Sequence, residues 1–313
     1  MTEERYQQTV PPELAGERFD KALARMFPEY SRSRLQDWIT RGLATADGRP
    51  LRPRDPVRGG EAVVLQPEAT IAVESLPQAM ELDVVLENDA LLVVNKPAGL
   101  VVHPGAGNLH GTLMNGLLHR VPSLAELPRA GIVHRLDKDT SGLLLVAKTL
   151  QSHTALVRQM SERTISRHYQ AVCCGVLTGG GTVNAPIGRH PVDRLKMSVR
   201  DDGKPAVTHY RVIERFAAHT FIIVQLESGR THQIRVHLAW RRHPLLGDPL
   251  YGGRLALPAA AGEHLKKVLQ GFRRQALHAA RLEFTWEGTP IEVDAPLPAD
   301  FSALLDALRD GAA

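Results

Sequence analysis

His134, Arg135, Asp137, Asp139, Thr140 and Ser141 crowd one polar break in GIVHRLDKDTSGLLLVAK, residues 131–148, just before the apolar run from Leu143 to Ala147. Basic side chains, carboxylates and hydroxyls at this spacing allow two readings. One is a surface turn with an ordinary ion pair; the other is a carboxylate nucleophile held at the mouth of a cleft. A second stretch, SGRTHQIRVHLA at 228–239, has Gly229 for a turn, Thr231 as a cap and a helix predicted behind Arg230. An arginine at the open end of a helix offers a carboxylate both a guanidinium and unpaired backbone amides. An aspartate held in that way stays ionised when partly desolvated, as a nucleophile must. Spacing alone does not separate that pairing from a structural ion pair.

Other chemistries leave no trace in the chain. GxxxxGK[ST], GxGxxG after a strand, HExxH and GxSxG are all absent. His232 and His237 stand five apart, so they do not share a helix face as an i, i+4 metal pair would. The two cysteines, Cys173 and Cys174, are adjacent inside the strand-like YQAVCCGVL and read as buried free thiols. No metal ion and no nucleotide or other cofactor is expected.

The elements that must position these residues are short. LDVVLEND, LLVVNKPAGLVVHPG, GLLLVAK, HYQAVCCGVL, VTHYRVIERF and HTFIIVQLES read as β-rich runs between Gly, Pro and Asp turns. Helical periodicity appears in GTLMNGLLHRV, QSHTALVRQMSE, RTHQIRVHLAWRR and ADFSALLDALRD. This pattern predicts an α+β fold with a mixed, mostly antiparallel sheet and flanking helices, not regular βα alternation. Ahead of it, residues 17–43 carry two amphipathic stripes, Phe19, Leu23, Met26 or Phe27 and then Leu35, Trp38, Ile39. Ser31 or Ser33 would cap the second helix and Gly42 would close it. LATADGRPL adds a hairpin turning at Asp47-Gly48, and RGGEAVVLQP a further strand. The proline-bearing stretch 66–82 reads as a linker, which divides the chain into a small domain with its linker at 1–76 and a large domain at 77–313.

The 313 residues carry a net charge of +4, and the segment from Ser31 to Gly60 alone also sums to +4. It holds Arg32, Arg34, Arg41, Arg49, Arg52, Arg54 and Arg58 against Asp37, Asp47 and Asp55. Arginines gathered in one small unit favour a phosphate-binding face over a merely solvated one. No run approaches the roughly 20 apolar residues of a membrane span. MTEERYQQTV has the wrong chemistry for a secretory signal, so a soluble cytoplasmic protein is expected.

GIVHRLDKDTSGLLLVAKT resembles the central motif of the RluA-type pseudouridine synthases, with the family's invariant aspartate at Asp137. VVNKPAGLVVHPGAGN (93–108), RTISRHYQAV (163–172), SGRTHQIRVHLA (228–239) and RQALHA (274–279) are similar to the family's other blocks. Residues 17–65 resemble the S4 RNA-binding module that some members carry. RHP at 189–191, GKPAVTHYRV at 203–212 and HPLLGDPLYGG at 243–253 look most like the branch that acts on a stem-loop of 23S rRNA at the subunit interface.

The resemblance implies the pseudouridine synthase fold with an N-terminal S4 domain, and a cofactor-independent isomerase that turns uridine in 23S rRNA into pseudouridine. It implies that Asp137 is the catalytic carboxylate, that Tyr169 packs against the target uracil and that Arg230 pairs with Asp137. Arg135 would enter the space left by the extruded base, and Arg32, Arg34, Arg41, Arg52 and Arg54 would contact RNA from the small domain. His134 reads as a hydrogen-bonded structural histidine, Lys138 and Asp139 as solvent-facing, and Lys96 and His103 as either lining the cleft or bracing a loop. The carboxylate could attack the sugar, attack the ring or remove a sugar proton, and the sequence does not choose. A ribosome-assembly factor that binds RNA without catalysis, and a hydrolase with an aspartate nucleophile, are the competing readings. A monomer is expected, with no membrane and no small-molecule partner.

Overall fold

Apolar runs become strands wherever Gly, Pro or Asp turns interrupt them, and the resulting chain falls into two compact units, Met1–Glu74 and Ser75–Ala313. The structure, a computed structural model, describes residues 5–66 except 29 and 31, and 76–311 except 106, 254 and 256. The side chains of 33 and 34 are also outside it, so the predicted caps Ser31 and Ser33 and the predicted RNA contact Arg34 lie beyond the described atoms.

The first unit contains β1 (Tyr6–Thr9), α1 (Phe19–Met26), α2 (Arg32–Thr40), β2 (Ala44–Ala46), β3 (Arg49–Pro50) and β4 (Ala62–Leu65). Its sheet runs β1-β4-β2-β3 with antiparallel neighbours. The helical stripes meet as predicted, with Phe19, Leu23 and Phe27 packed among Leu35, Trp38 and Ile39. Asp47 and Gly48, at φ 49° and 71°, turn the β2–β3 hairpin. Asp20 is fully buried and accepts hydrogen bonds from Arg18, Arg32 and Gln36. Burial pushes its carboxyl upward, but those three donors outweigh it and hold the pKa below the usual value. This corrects the expectation for Arg32. Its Nε and Nη2 close on Asp20 at 3.1 and 2.7 Å, which makes it a clamp inside the unit. Arg52 and Arg54 are exposed, and the exposed Arg41 lies 3.5 Å from Asp37.

The second unit opens with β5 (Val84–Glu87), β6 (Leu91–Lys96), α3 (Leu113–Arg120), β7 (Ser141–Ala147), α4 (Leu150–Glu162) and β8 (Ser166–Cys174). It continues through β9 (Gly181–Asn184), β10 (Ile187–Arg189), β11 (Met197–Val199), β12 (Val207–Arg215), β13 (His219–Leu226) and α5 (Gln233–Trp240). It closes with α6 (Glu263–Gly271), β14 (Leu277–Trp286), β15 (Thr289–Asp294) and α7 (Ala299–Asp310). The main sheet follows β5-β6-β7-β14-β8-β13-β12-β9, with β15 beside β14. Every pair in it is antiparallel except β7 with β14, so the sheet is mixed and mostly antiparallel. One face of β8 buries Arg167, Tyr169, Ala171 and Cys173 in alternation, the two-residue period of a half-covered strand. Both cysteines are free thiols, and burial raises Cys173 to about 12.

Residues assigned to the linker already belong to this unit. Asn115 on α3 donates to the Leu76 carbonyl, and the Gln78 side chain accepts from Gly111.

Candidate active site

The loop entering β7 carries Asp137, and its backbone is fastened from three directions. Lys96, fully buried at the end of β6, donates to the carbonyls of Pro97, Leu100 and Lys138 at 2.8 to 2.9 Å. Three carbonyl acceptors use all three N–H groups of an ammonium. Burial drags the lysine down to about 7, against the pull of Asp139 and Asp137. Lys96 therefore braces the loop. Arg274 donates to the Asp139 carbonyl and Gln275 to the Thr140 hydroxyl, both from the segment leading into β14. At the parallel β7–β14 contact Gly142 has φ +110°, and a Cβ there would lie 2.2 Å from the Ala279 carbonyl oxygen. Only glycine allows the two strands this close.

Asp137 points into a cavity of about 720 Å³ lined by the 132–137 loop, the start of β8, the end of β13 and the first turn of α5. Its carboxylate is ion-paired, and the partner corrects the sequence expectation. Arg235 Nη1 donates to Asp137 Oδ2 at 3.0 Å. Arg230 donates instead to the Pro205 carbonyl and stands exposed on the rim of the same cavity. The helix begins at Gln233 with His232 at its N-cap, one residue beyond the predicted cap Thr231, and the arginine of its first turn is Arg235.

Arg235 is itself held. Its Nε and Nη2 meet both oxygens of Asp248 at 2.7 and 2.9 Å, and its guanidinium lies 5.1 Å from the Tyr251 ring centre. Burial opposes its charge, but Asp248 and Asp137 more than offset that and raise its pKa above the ordinary arginine value. Asp248 also accepts from the Leu250 and Tyr251 amides. A buried charge this well satisfied is a fixed strut, and the strut ends on Asp137.

The other carboxylate oxygen, Oδ1, faces His232 Nε2 at 3.9 Å. Tyr251 accepts from the Met197 amide, and its hydroxyl shares a hydrogen bond with His232 Nδ1, each at 2.8 Å. Burial lowers the His232 pKa against the pull of Asp137, which keeps the ring neutral. His232 occupies a left-handed backbone position, φ 56°, strained for a residue with a side chain and here placed at the site. Gln233 supports that turn, accepting from Arg230 N and Ser228 Oγ and donating to Val207 O and Thr208 Oγ1.

Tyr169 lines the cavity from β8 with 5 % exposure, and burial raises its phenol. Arg135 is exposed and lines the cavity, as does His103, which burial lowers to about 4. His134 is buried; its Nε2 accepts from the Leu145 amide and its pKa falls to about 3, so it is structural. Lys138 is exposed and Asp139 half-buried. The structure thus brings Asp137, Tyr169, Arg135 and Arg230 to one cavity, but joins Asp137 to Arg235.

Sequence reasoning missed Arg235, Asp248, His232 and Tyr251. The signal for Arg235 was present: in QIRVHL an arginine sits between Ile234 and Val236 on a helix too apolar to face water, so it needed a carboxylate.

Comparison with known proteins points to one family. The family model described as RNA pseudouridylate synthase matches residues 90–240. The ribosomal large subunit pseudouridine synthase D of Xanthomonas campestris pv. campestris is 57% identical over 98% of this chain and 93% of its own length. That of Pseudomonas aeruginosa is 55% identical over 96% of this chain and 94% of its own. Among solved structures, human RNA pseudouridylate synthase domain containing 4 aligns with a TM-score of 0.57 at 26% identity, covering 72% of this chain and 92% of that one. Fold, loop geometry and sequence together establish that this chain belongs to the RNA pseudouridine synthase family.

Proposed function

We propose that this chain isomerises specific uridines of 23S rRNA to pseudouridine, with Asp137 starting the reaction. One observation carries the reading: a carboxylate ion-paired to a buried, doubly anchored arginine, inside a basic cavity that also presents Tyr169. The isomerisation breaks the N1–C1′ bond, turns the base and forms C5–C1′. The C5 proton leaves to solvent and N1 gains one, so no redox partner or outside group enters. Attack of Asp137 on C1′, attack on C6 of the ring, and removal of a sugar proton each need one fixed carboxylate.

Reaching a stacked base means extruding it, at a cost of a few kcal/mol that is smaller in a loop than in a duplex. Stacking on Tyr169 returns roughly 1–3 kcal/mol. Arg135, exposed beside Asp137, fills the space the base vacates. The unit Met1–Glu74 serves as an S4-type RNA-binding module, with Arg41, Arg52 and Arg54 toward phosphates. The chain is taken to act as a monomer on large-subunit RNA in the cytoplasm.

Mapping pseudouridine across 23S rRNA from cells with and without this chain tests the reading. Loss of modification in a subunit-interface stem-loop is expected. An unchanged map would refute it.

A further inference from the structure

Arg167 is a buried cation with nothing to hold. It lies on β8 with 6 % exposure, two residues before Tyr169 on the same face. Among the described residues it makes no salt bridge and no side-chain hydrogen bond, and its Nε is buried without a partner. The other buried arginines are committed: Arg235 to two aspartates and Arg274 to Asp300. Its guanidinium lines the cavity that holds Asp137, and its positive charge is felt at His134 and Tyr169. Gly229 opposite leaves it room, since a Cβ there would stand 2.7 Å from Nη1. An unpaired guanidinium removed from water is costly unless a ligand supplies the acceptor.

The geometry points to the uracil ring as that acceptor: we propose that Arg167 donates to a carbonyl oxygen of the flipped base and takes up the charge that develops there. This rests on the reading of the cavity as the uridine site. Alternate residues of a strand stand about 7 Å apart on one face, so a base stacked against Tyr169 brings an exocyclic oxygen over Arg167. When N1–C1′ breaks, its electron pair stays with the base and spreads onto O2 and O4. Attack on C6 instead places charge on O4. Either route makes an anion on the ring, and a fixed donor in a water-poor site stabilises such charge most. Phosphates have other partners. Arg129, Arg135 and Arg230 line the same cavity, and all three are exposed at its rim.

The test combines single-turnover tritium release from C5-labelled 23S rRNA with RNA binding across a salt series. Arg167→Met is expected to slow release by on the order of 10²–10³-fold, as loss of one transition-state donor does. RNA affinity should stay within about threefold and its salt slope unchanged, because no phosphate contact is lost. Arg167→Lys, which keeps the charge, should lose less, and guanidinium ion should restore release by Arg167→Ala beyond a sodium chloride control. Weaker binding with a shallower salt slope and an unchanged rate at saturating RNA would overturn the proposal in favour of a phosphate clamp. Unchanged behaviour overturns it, as does a loss that guanidinium leaves untouched and that follows the melting temperature. Absence of release by the unaltered chain would remove the site reading and this inference together.

Discussion

Asp137 and Arg235 form an asymmetric pair. The carboxylate is partly open to the cavity, whereas the guanidinium is buried and fixed by Asp248. Replacing Arg235 therefore disturbs two carboxylates. Arg235→Lys keeps the charge but loses the two-pronged contact, and a point charge does not hold the same geometry. We expect at least a 10²-fold fall in single-turnover rate together with a lower melting temperature. Arg230→Ala, which removes a rim cation, should leave the rate at saturating RNA within about threefold. Equal losses from both would contradict the assignment.

The buried histidines set the acid limit. His134 and His219 have folded pKa values of about 3 and about 4, and both ring nitrogens of His219 lack a protein partner. Unfolded, each takes a proton near pH 6.5. The folded chain thus binds fewer protons than the unfolded one below pH 6.5. Stability is present above that pH and falls as pH drops toward 4, by roughly 1.4 kcal/mol per unit for each histidine. Melting scans between pH 7 and 4.5 should show this decline, and His219→Leu should flatten it. An unaltered slope would show that His219 is accessible to protons in the folded state.

The β7–β14 contact is the element on which the site depends. Asp137 enters β7 and the Arg274–Gln275 clamp enters β14, so the spacing between these strands sets the loop. Gly142→Ala puts a methyl group against the Ala279 carbonyl in a left-handed backbone region. A cost of more than about 2 kcal/mol follows from strain and clash together, seen as a melting shift with a matching loss of activity. A neutral result would mean that the strands separate freely.

Most elements were legible in the sequence because turns punctuated them. The β6, β7, β8 and β13 runs and the α3, α4 and α7 periodicities all appear within a few residues of their predicted places. The β14–β15 hairpin was not read, because RRQALHAARLEF mixes charge and alanine and lacks a β-branched alternation. α6, bounded by Gly262 and Gly271, was not read either. Asp137 and Tyr169, which both line the cavity, were singled out by their motifs. Arg235 was missed although an arginine in so apolar a helix calls for a carboxylate, since which carboxylate depends on where α5 starts, and Thr231 looked like a better cap than the strained His232 that occupies the position. Asp248 and Tyr251 reach the site only through tertiary contact, which local spacing does not encode.

At the scale of the molecule, the chain is two compact units. Met1–Glu74 has its own core around Phe19 and Trp38, and Ser75–Ala313 carries every residue of the cavity. The arginine-rich segment from 31 to 60 is the sequence feature that most favours RNA, and its net charge of +4 belongs wholly to the first unit. Removing residues 1–74 should leave a folded second unit with weaker RNA affinity and a salt slope shallower by about two or more, as lost phosphate contacts require. Undiminished binding at low concentration would show that the first unit does not contact RNA.

We assign the start of the rearrangement at an extruded uridine to the Asp137 carboxylate, steadied by Arg235. Tritium release from C5-labelled 23S rRNA reports completion of the rearrangement, because C5 gives up its proton once it has bonded to the sugar. The intact chain should release tritium, and Asp137→Ala should release none while still binding the RNA. Release by the alanine variant at a comparable rate would contradict the account.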